Sequence, residues 1–358
     1  MADDPLLPHR QRIDAIDEQL IALLNERLNE AAAIGQIKKQ QGAPIYVPGR
    51  EEEVMRKAQA RNQGPLPEKA LRAIYREIMS AAIALEKETV IAYLGPAATF
   101  THQAAMAKFG ASLNYRALPS IADVFNAVEK EEADYGVIPI ENSTEGAVFH
   151  SLDMLVDSDL KIVSQVYLPI RHCLLSHGKL EEIEEVYSKD QAIGQCRIWL
   201  QTHLPKARLT DTASTAHAVQ LVRERPRAAA IASALAGEMH GVPVRFEGIQ
   251  DKSENITRFL IVGREASSVR GSGEHKTSLV ISINDEVGAL QKAIHPFSSR
   301  AINLCKIESR PSRKRPWDYY FFIDVIGHHE DPQLQEAIRE LRQFCPLVKW
   351  LGSYPNAV

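Results

Sequence analysis

From about residue 8 to residue 41 the chain carries a helical pattern that nothing interrupts. Ile13, Ile16, Leu20, Leu23, Leu24 and Ile34 recur at three- and four-residue steps, with no internal proline. Gly42-Ala43-Pro44 ends the run. A second helix is expected after Pro48-Gly49, stopped by Gly64-Pro65-Leu66-Pro67. A third is expected from about 67 to 87, with Leu71, Ile74, Ile78 and Ile83 on its apolar side. Three helices in about 90 residues, one of them very long, do not close easily into a compact monomer. The pattern therefore predicts that the long helix packs against a partner chain, giving a homodimer or a higher homo-oligomer.

After Thr89 the texture changes. Short apolar runs at Val90–Leu94, Tyr135–Ile140, Lys161–Leu168 and Phe259–Val262 read as strands. They alternate with helical stretches at Thr101–Phe109, Ile121–Val128 and Ser214–Val222, an α/β pattern of parallel type. A charged linker with Ser and Gly follows, Arg264–Lys276. The last segment reads strand, helix, strand, strand, helix, strand. Its strands are Ser278–Ile283, Ile302–Glu308, Tyr319–Ile326 and Val348–Leu351, and its helices Ala289–Phe297 and Pro332–Phe344. That order suits a ferredoxin-like α+β sandwich. The folded units are expected at residues 1–89, 90–265 and 277–358, with 266–276 joining the last two.

Bulk composition narrows the function. Of 358 residues, 45% are hydrophobic and 25% charged, a soluble make-up able to bury real cores. The net charge of −4 argues against general nucleic-acid affinity, so an anionic ligand would need locally placed Arg and Lys. Cys173, Cys196, Cys305 and Cys345 lie far apart without ligand spacing, as reduced thiols of a cytoplasmic protein would. Asp3 and Asp4, with no apolar core behind them, do not make a signal peptide, and no apolar run is long enough to span a bilayer. There is no Walker loop, no dinucleotide glycine fingerprint and no His/Cys ligand cluster, so no cofactor and no metal are expected.

Basic residues mark the long helix. Arg27 and Lys38 are eleven apart, about three turns, and share one face, while Arg10 points about a quarter-turn away. Arg27 lies near the apolar stripe, where an unpaired charge is costly. A bound dianion would satisfy it; a solvated charged face is the competing reading. These first residues resemble the all-helical type of chorismate mutase. The matching stretches are Arg10–Asp17, Leu23–Arg27, Ile34–Lys38 and Arg50-Glu51. The resemblance implies that Arg27, Lys38 and Arg50 hold the carboxylates and ether oxygen of chorismate. It implies that Arg10 reaches into the partner's site and that Glu51 accepts a hydrogen bond from the substrate hydroxyl. The chain departs from the family pattern at Glu86, where a Gln is frequent, at Ala82, where a Ser is frequent, and at Val47, where some relatives carry Asp.

A second chemical centre is expected at residues 250–259, a polar run ending in Thr257-Arg258 before the apolar strand Phe259–Val262. A hydroxyl and a guanidinium at a strand mouth suit a small anion, while a loop entering a core strand is the bland alternative. Residues 90–265 resemble prephenate dehydratase through Tyr93–Thr101, Pro139–Ser143, Gln195-Cys196, Ser214–Ala216 and Asn255–Phe259, five runs in order. The resemblance implies two α/β lobes like those of periplasmic binding proteins, with prephenate in the cleft. It implies Thr257 as the donor to the leaving hydroxyl, Asn142 and Gln195 as polar partners, and Thr99, Thr101, Ser143, Ser214, Thr215 and Arg258 as substrate contacts. Arg258 has a structural ion pair as its competing role. His102 is expected on a helix surface. Where the family often has His-Pro, this chain has Ser188–Ala192, and Ala98 stands where Gly is common.

Gly288-Ala289-Leu290 and Ile307–Pro311 resemble the amino-acid-binding ACT module. The resemblance implies phenylalanine as allosteric effector, bound by Gly288, Ala289, Leu290, Asn303, Glu308, Ser309 and Arg310. Together the three likenesses imply a bifunctional enzyme of phenylalanine biosynthesis under feedback control. The alternatives are a dehydratase with an inert helical arm and an amino-acid sensor with no catalysis.

Overall fold

A computed structural model describes residues 4–42, 46–266, 273–312 and 319–356. The N-terminal module is three helices: α1 (Leu7–Gln41), α2 (Pro48–Arg61) and α3 (Glu68–Glu86). α1 runs unbroken for 35 residues, and Gly42 closes its last turn by donating to the Lys38 and Lys39 carbonyls. It packs on α3 near its C-terminal end. Gly35 is the buried residue among those described in α1. Ile13, Ile16, Leu20, Leu23, Leu24 and Ile37 all stand exposed, so the apolar stripe that shapes this helix has no cover among the described residues.

The middle domain has two lobes. β1 (Val90–Leu94), α4 (Phe100–Phe109), β2 (Asn114–Leu118), α5 (Ile121–Glu129), β3 (Tyr135–Asn142), β4 (Gly146–Ala147), α6 (Phe149–Asp157) and β5 (Lys161–Pro169) form most of the first. The chain then crosses to the second, built from β6 (Cys173–Leu175), β7 (Glu185–Ser188), α7 (Asp190–Gln195), α8 (Arg197–His203), β8 (Arg208–Asp211), α9 (Thr215–Val222), β9 (Ala228–Ala232), α10 (Ala234–His240) and β10 (Val244–Phe246). It returns to the first lobe as β11 (Ile256–Gly263).

The sheets have the orders β2-β1-β3-β11-β5 and β10-β6-β9-β7-β8. The expected parallel arrangement holds for β1 with β2 and β3, and for β7 with β8 and β9. It fails at β6, antiparallel to β9 and β10 in the second lobe, and at β11, which lies antiparallel between β3 and β5. The reason at β11 is the return crossing. β3 and β5 end at the cleft, whereas β11 enters the sheet from the cleft and must run the other way.

The C-terminal domain follows as β12 (His275–Ile283), α11 (Ala289–Ser298), β13 (Leu304–Pro311), β14 (Tyr319–Ile326), α12 (Pro332–Leu341) and β15 (Leu347–Pro355). Its antiparallel order β13-β14-β12-β15 is the ferredoxin-like one. One sheet face, with Leu279, Ile281, Ile323 and Val325, is covered by α11 and α12. The other, with Val280, Tyr320, Phe322 and Leu351, joins the core of the first lobe around Val124, Ile138 and Ile162. Of the expected linker, His275 and Lys276 already lie in β12, and residues 267–272 fall outside the described set.

Candidate active sites

Thr257 and Asn142 face each other across the β3–β11 ladder at the mouth of the cleft. Asn142 Oδ1 accepts the backbone N–H of Thr144 at 2.9 Å and of Glu145 at 3.1 Å, and the Thr144 hydroxyl at 2.6 Å. Backbone N–H groups can only donate, so this fixes which end of the amide is oxygen. The amide nitrogen then donates to Thr257 Oγ1 and to Asn255 Oδ1, both at 2.8 Å. Because Thr257 accepts from Asn142, its own proton remains available to a ligand.

Gln195, at the end of α7 in the second lobe, completes the network. Its Oε1 accepts from Asn255 Nδ2 at 2.8 Å, and its Nε2 reaches Thr144 Oγ1 at 3.3 Å and Glu145 Oε1 at 3.1 Å in the first lobe. His172 Nε2 lies 2.8 Å from the same Oε1. As that oxygen is an acceptor, the imidazole carries its proton on Nε2. Burial holds the His172 pKa below the ordinary value despite the pull of Gln195, which favours the neutral ring. His172 sits on the outward crossing, and the crossings are tied by Ile170 N–H to Asn255 O at 2.7 Å and Ile249 N–H to His172 O at 2.9 Å. Sequence reasoning assigned no role to His172, Asn255, Thr144 or Glu145. Asn255 lies inside the matching run Asn255–Phe259; His172 carries no local signal.

Arg258 requires a correction. Side chains alternate along a strand, so Arg258 points away from the cleft that Thr257 enters. It is 5% exposed. Its guanidinium donates to Asp324 Oδ2 at 2.6 Å, to the Tyr354 hydroxyl at 2.8 Å and to Gln165 Oε1 at 3.0 Å. The structural ion pair, weighed as its competing role, is what forms.

The other cleft candidates lie at element starts. Ser214 caps α9 by accepting the His217 N–H at 3.1 Å, and Thr215 is the first residue of that helix. Thr99 caps α4, and Thr101 is buried in its first turn. The turn before it is wedged between the lobes: Ala98, at φ +66°, packs with Ala216 and Ala232 of the second lobe. Ser143 Oγ accepts the Ile256 N–H at 3.0 Å and donates to the Glu254 carbonyl at 3.0 Å, pinning the return crossing. His102 is not a helix-surface residue as expected. It is buried, stacks on Tyr93 at 4.5 Å and accepts the Ala98 N–H at 3.1 Å, which braces that turn.

In the helical module, Lys38 on α1 and Glu86 on α3 come together, Nζ to Oε2 at 3.6 Å. Burial raises the Glu86 pKa above the ordinary carboxylate value, with Lys38 opposing. Ala82 is buried one turn away on α3. Arg27 is half-buried on α1. Arg50 is exposed and paired with Glu53 at 2.8 Å, and Arg10 is exposed and paired with Asp4 at 3.3 Å. Glu51, expected to meet a substrate hydroxyl, instead pairs with Lys108 of α4 at 3.3 Å, because α2 lies against the first lobe there. Val47 is buried beside Tyr46 at the same junction.

In the C-terminal domain a cavity of about 360 Å³ is lined by Gly288, Ala289 and Leu290, together with Asn284, Tyr319 and Phe321. The first three were expected there; the rest were missed. Arg310 must be withdrawn from the expected ligand set. It pairs with Asp153 of α6 on the opposite face of the sheet, and strand alternation puts Glu308 on that face too. Asn303 and Ser309 are exposed, and neither lines the cavity.

Comparison with known proteins gives three family matches: Chorismate mutase type II over residues 9–87, Prephenate dehydratase over 91–267 and ACT domain over 277–343. A bifunctional chorismate mutase/prephenate dehydratase of Aquifex aeolicus is 45% identical, over 98% of this chain and 97% of its own length. One from Neisseria gonorrhoeae is 43% identical, over 99% and 98%. Among solved structures, prephenate dehydratase from Arthrobacter aurescens in complex with L-Phe matches with a TM-score of 0.71 at 33% identity. It covers 75% of this chain and 90% of that one.

Proposed function

This chain belongs to the bifunctional chorismate mutase/prephenate dehydratase family and carries both activities, and from that premise we propose which residues perform each step and what governs them. The readings as a sensor or as a dehydratase with an inert helical arm are set aside. We divide the chain into a mutase module at 1–89, a dehydratase domain at 90–265, a join at 266–276 and a regulatory domain at 277–358.

The mutase reaction is a pericyclic rearrangement of chorismate and needs neither nucleophile nor proton transfer. Its barrier falls when the substrate is held in the reactive chair and negative charge on the breaking ether is stabilised. Lys38 supplies a charge and protonated Glu86 a hydrogen bond to that oxygen, while Arg27 and Arg50 hold carboxylates. Arg10 lies 28 residues before Lys38, about 42 Å along one helix, so it serves the site of a second chain. The uncovered stripe of α1 supports the same homodimer, since burying it removes a large apolar face from water.

In the cleft, prephenate loses its ring hydroxyl as water and its ring carboxylate as carbon dioxide. The electron pair of the breaking C–C bond completes the aromatic ring, giving phenylpyruvate. Thr257 hands its proton to the departing hydroxyl, so that it leaves as water, and solvent returns a proton to the threonine. Asn142 orients Thr257, Gln195 joins the lobes around the substrate, and Ser214 and Thr215 offer a carboxylate the free N–H groups at the start of α9. The observation that carries this assignment is the 2.8 Å bond from Asn142 Nδ2 to Thr257 Oγ1, which leaves the threonine proton to the substrate.

The regulatory cavity suits phenylalanine. N–H groups after Gly288 meet a carboxylate, and Tyr319 and Phe321 offer an apolar wall. The unpaired cysteines suit a reducing cytoplasm. One assay tests the whole reading. Fed chorismate, the protein forms prephenate and then phenylpyruvate, and Thr257→Ala stops at prephenate. Phenylpyruvate formation at a near-normal rate by Thr257→Ala would refute the role given to Thr257.

A further inference from the structure

β3 and β11 present two cross-strand pairs to opposite faces of one sheet. Asn142 with Thr257 faces the cleft; Glu141 with Arg258, the neighbouring pair, faces the regulatory domain. That second pair is gripped from outside. Arg258 is held by Asp324 at 2.6 Å and Tyr354 at 2.8 Å, and Glu141 accepts from Lys306 Nζ. Asp324 is itself fixed by the Ser278 hydroxyl at 2.5 Å, which meets the Tyr354 hydroxyl at 2.7 Å. Asp324, Lys306, Ser278 and Tyr354 all belong to the regulatory sheet.

We propose that Glu141 and Arg258 are positioning residues for the dehydration, held in register by Lys306 and Asp324, so that the regulatory sheet forms part of the dehydratase's working structure. The proposal rests on the reading of Thr257 and Asn142 as the cleft's reacting pair. Its physical basis is leverage over one residue. Arg258 faces two carboxylates, Asp324 at 2.6 Å and Glu141 at 3.8 Å; a buried guanidinium that loses the nearer one is drawn toward the other, so loss of Asp324 shifts the strand at 258. Thr257 is the adjacent residue. The ladder slips register between Arg258 and Phe259, so it is already broken there and can yield. A catalytic group tolerates misplacement of only about 0.5 Å. Movement of the regulatory sheet therefore acts on turnover rather than on affinity for prephenate.

The test uses the full-length protein and three substitutions. Asp324→Asn keeps shape and removes the nearer of the two charges facing Arg258. Lys306→Met and Glu141→Gln uncouple the second contact, which is less buried and keeps the test open should Asp324→Asn fold poorly. Each is expected to lower dehydratase kcat about tenfold with KM for prephenate within twofold, and to leave mutase turnover unchanged. Because Glu141 also faces Arg258, in a double-mutant cycle Lys306→Met with Glu141→Gln is expected to lose no more than Glu141→Gln alone. The proposal is overturned if the folded variants keep wild-type kcat, if the losses add, or if KM alone rises, as it would for a residue that anchors a substrate carboxylate. Failure of the underlying reading shows separately, as dehydratase activity surviving in Thr257→Ala.

Discussion

Gly35 on α1 faces Glu86 on α3 so closely that a methyl group on Gly35 would stand 2.6 Å from Glu86 Cγ. The contact lies one turn before Lys38, the residue whose ammonium pairs with the Glu86 carboxylate. The close approach of the two helices thus sets where the mutase carboxyl sits.

Gly35→Ala separates two opposing effects. Alanine in a helix interior is worth roughly 0.5–1 kcal/mol over glycine, which favours α1. The overlap, however, reaches the stem of Glu86 rather than its flexible end, so the carboxyl must move. Displacement by about 1 Å costs on the order of a hundredfold in a positioned reaction. The expected result is a mutase kcat reduced at least tenfold, with dehydratase turnover and melting temperature near wild type. Unchanged mutase turnover would show that Glu86 does not need its present place.

The Glu86 carboxyl also predicts a pH profile. Burial raises its pKa and Lys38 only partly opposes this. The acid form donates to the developing oxyanion, whereas the carboxylate repels it. Turnover is therefore full below the raised pKa and falls as pH rises through it. An ordinary carboxylate, titrating near 4.3, would leave the profile flat from about pH 6 upward. Glu86→Gln donates at every pH, so its profile should be level from about pH 5 to 8. A profile in the Gln variant that still falls in parallel with wild type would remove Glu86 from the mechanism.

Thr257 and Arg258 show what was legible in the sequence. The run was correctly read as entering a strand, and strand alternation alone separates the two side chains onto opposite faces. What no local pattern revealed was Asp324, the partner that fixes Arg258 from another domain. The second lobe was harder. β6, β8 and β10 have three or four residues each, too few for a periodic signal. β9 reads Ala-Ala-Ala-Ile-Ala, helix formers by propensity, yet it is buried throughout as a strand because small side chains let α9 pack on it. The long amphipathic helices and the ferredoxin-like order were readable because their patterns span many residues. His172 and Asn255 were not, because their partner Gln195 is far away in sequence.

Asn142→Asp probes the donor side of the cleft. The aspartate keeps an oxygen for the Thr144 and Glu145 N–H groups, so the turn survives, but it loses both bonds to Thr257 and Asn255. Thr257 would then spend its proton on the new carboxylate. Removal of one such preorganised donor costs about 10²–10³ in kcat. The expectation is a fall of that size with the mutase untouched. A loss below threefold would mean that Asn142 does not set the direction of the Thr257 hydroxyl.

Gly288 opens the regulatory cavity at φ +81°, and a Cβ built there meets nothing within 4 Å. Space does not exclude a side chain; backbone conformation does, since an L-residue in the left-handed region costs about 1–2 kcal/mol. Gly288→Val, with a β-branched residue, should pull the loop out of that region and turn the N–H groups after it away from a bound carboxylate. The expected outcome is phenylalanine inhibition weakened at least tenfold, read as the concentration that halves phenylpyruvate formation relative to the same variant without phenylalanine. Tyr319→Ala removes an aromatic side chain that lines the same cavity and should weaken inhibition independently. If both variants respond to phenylalanine as the parent does, the effector binds elsewhere and this cavity has another occupant.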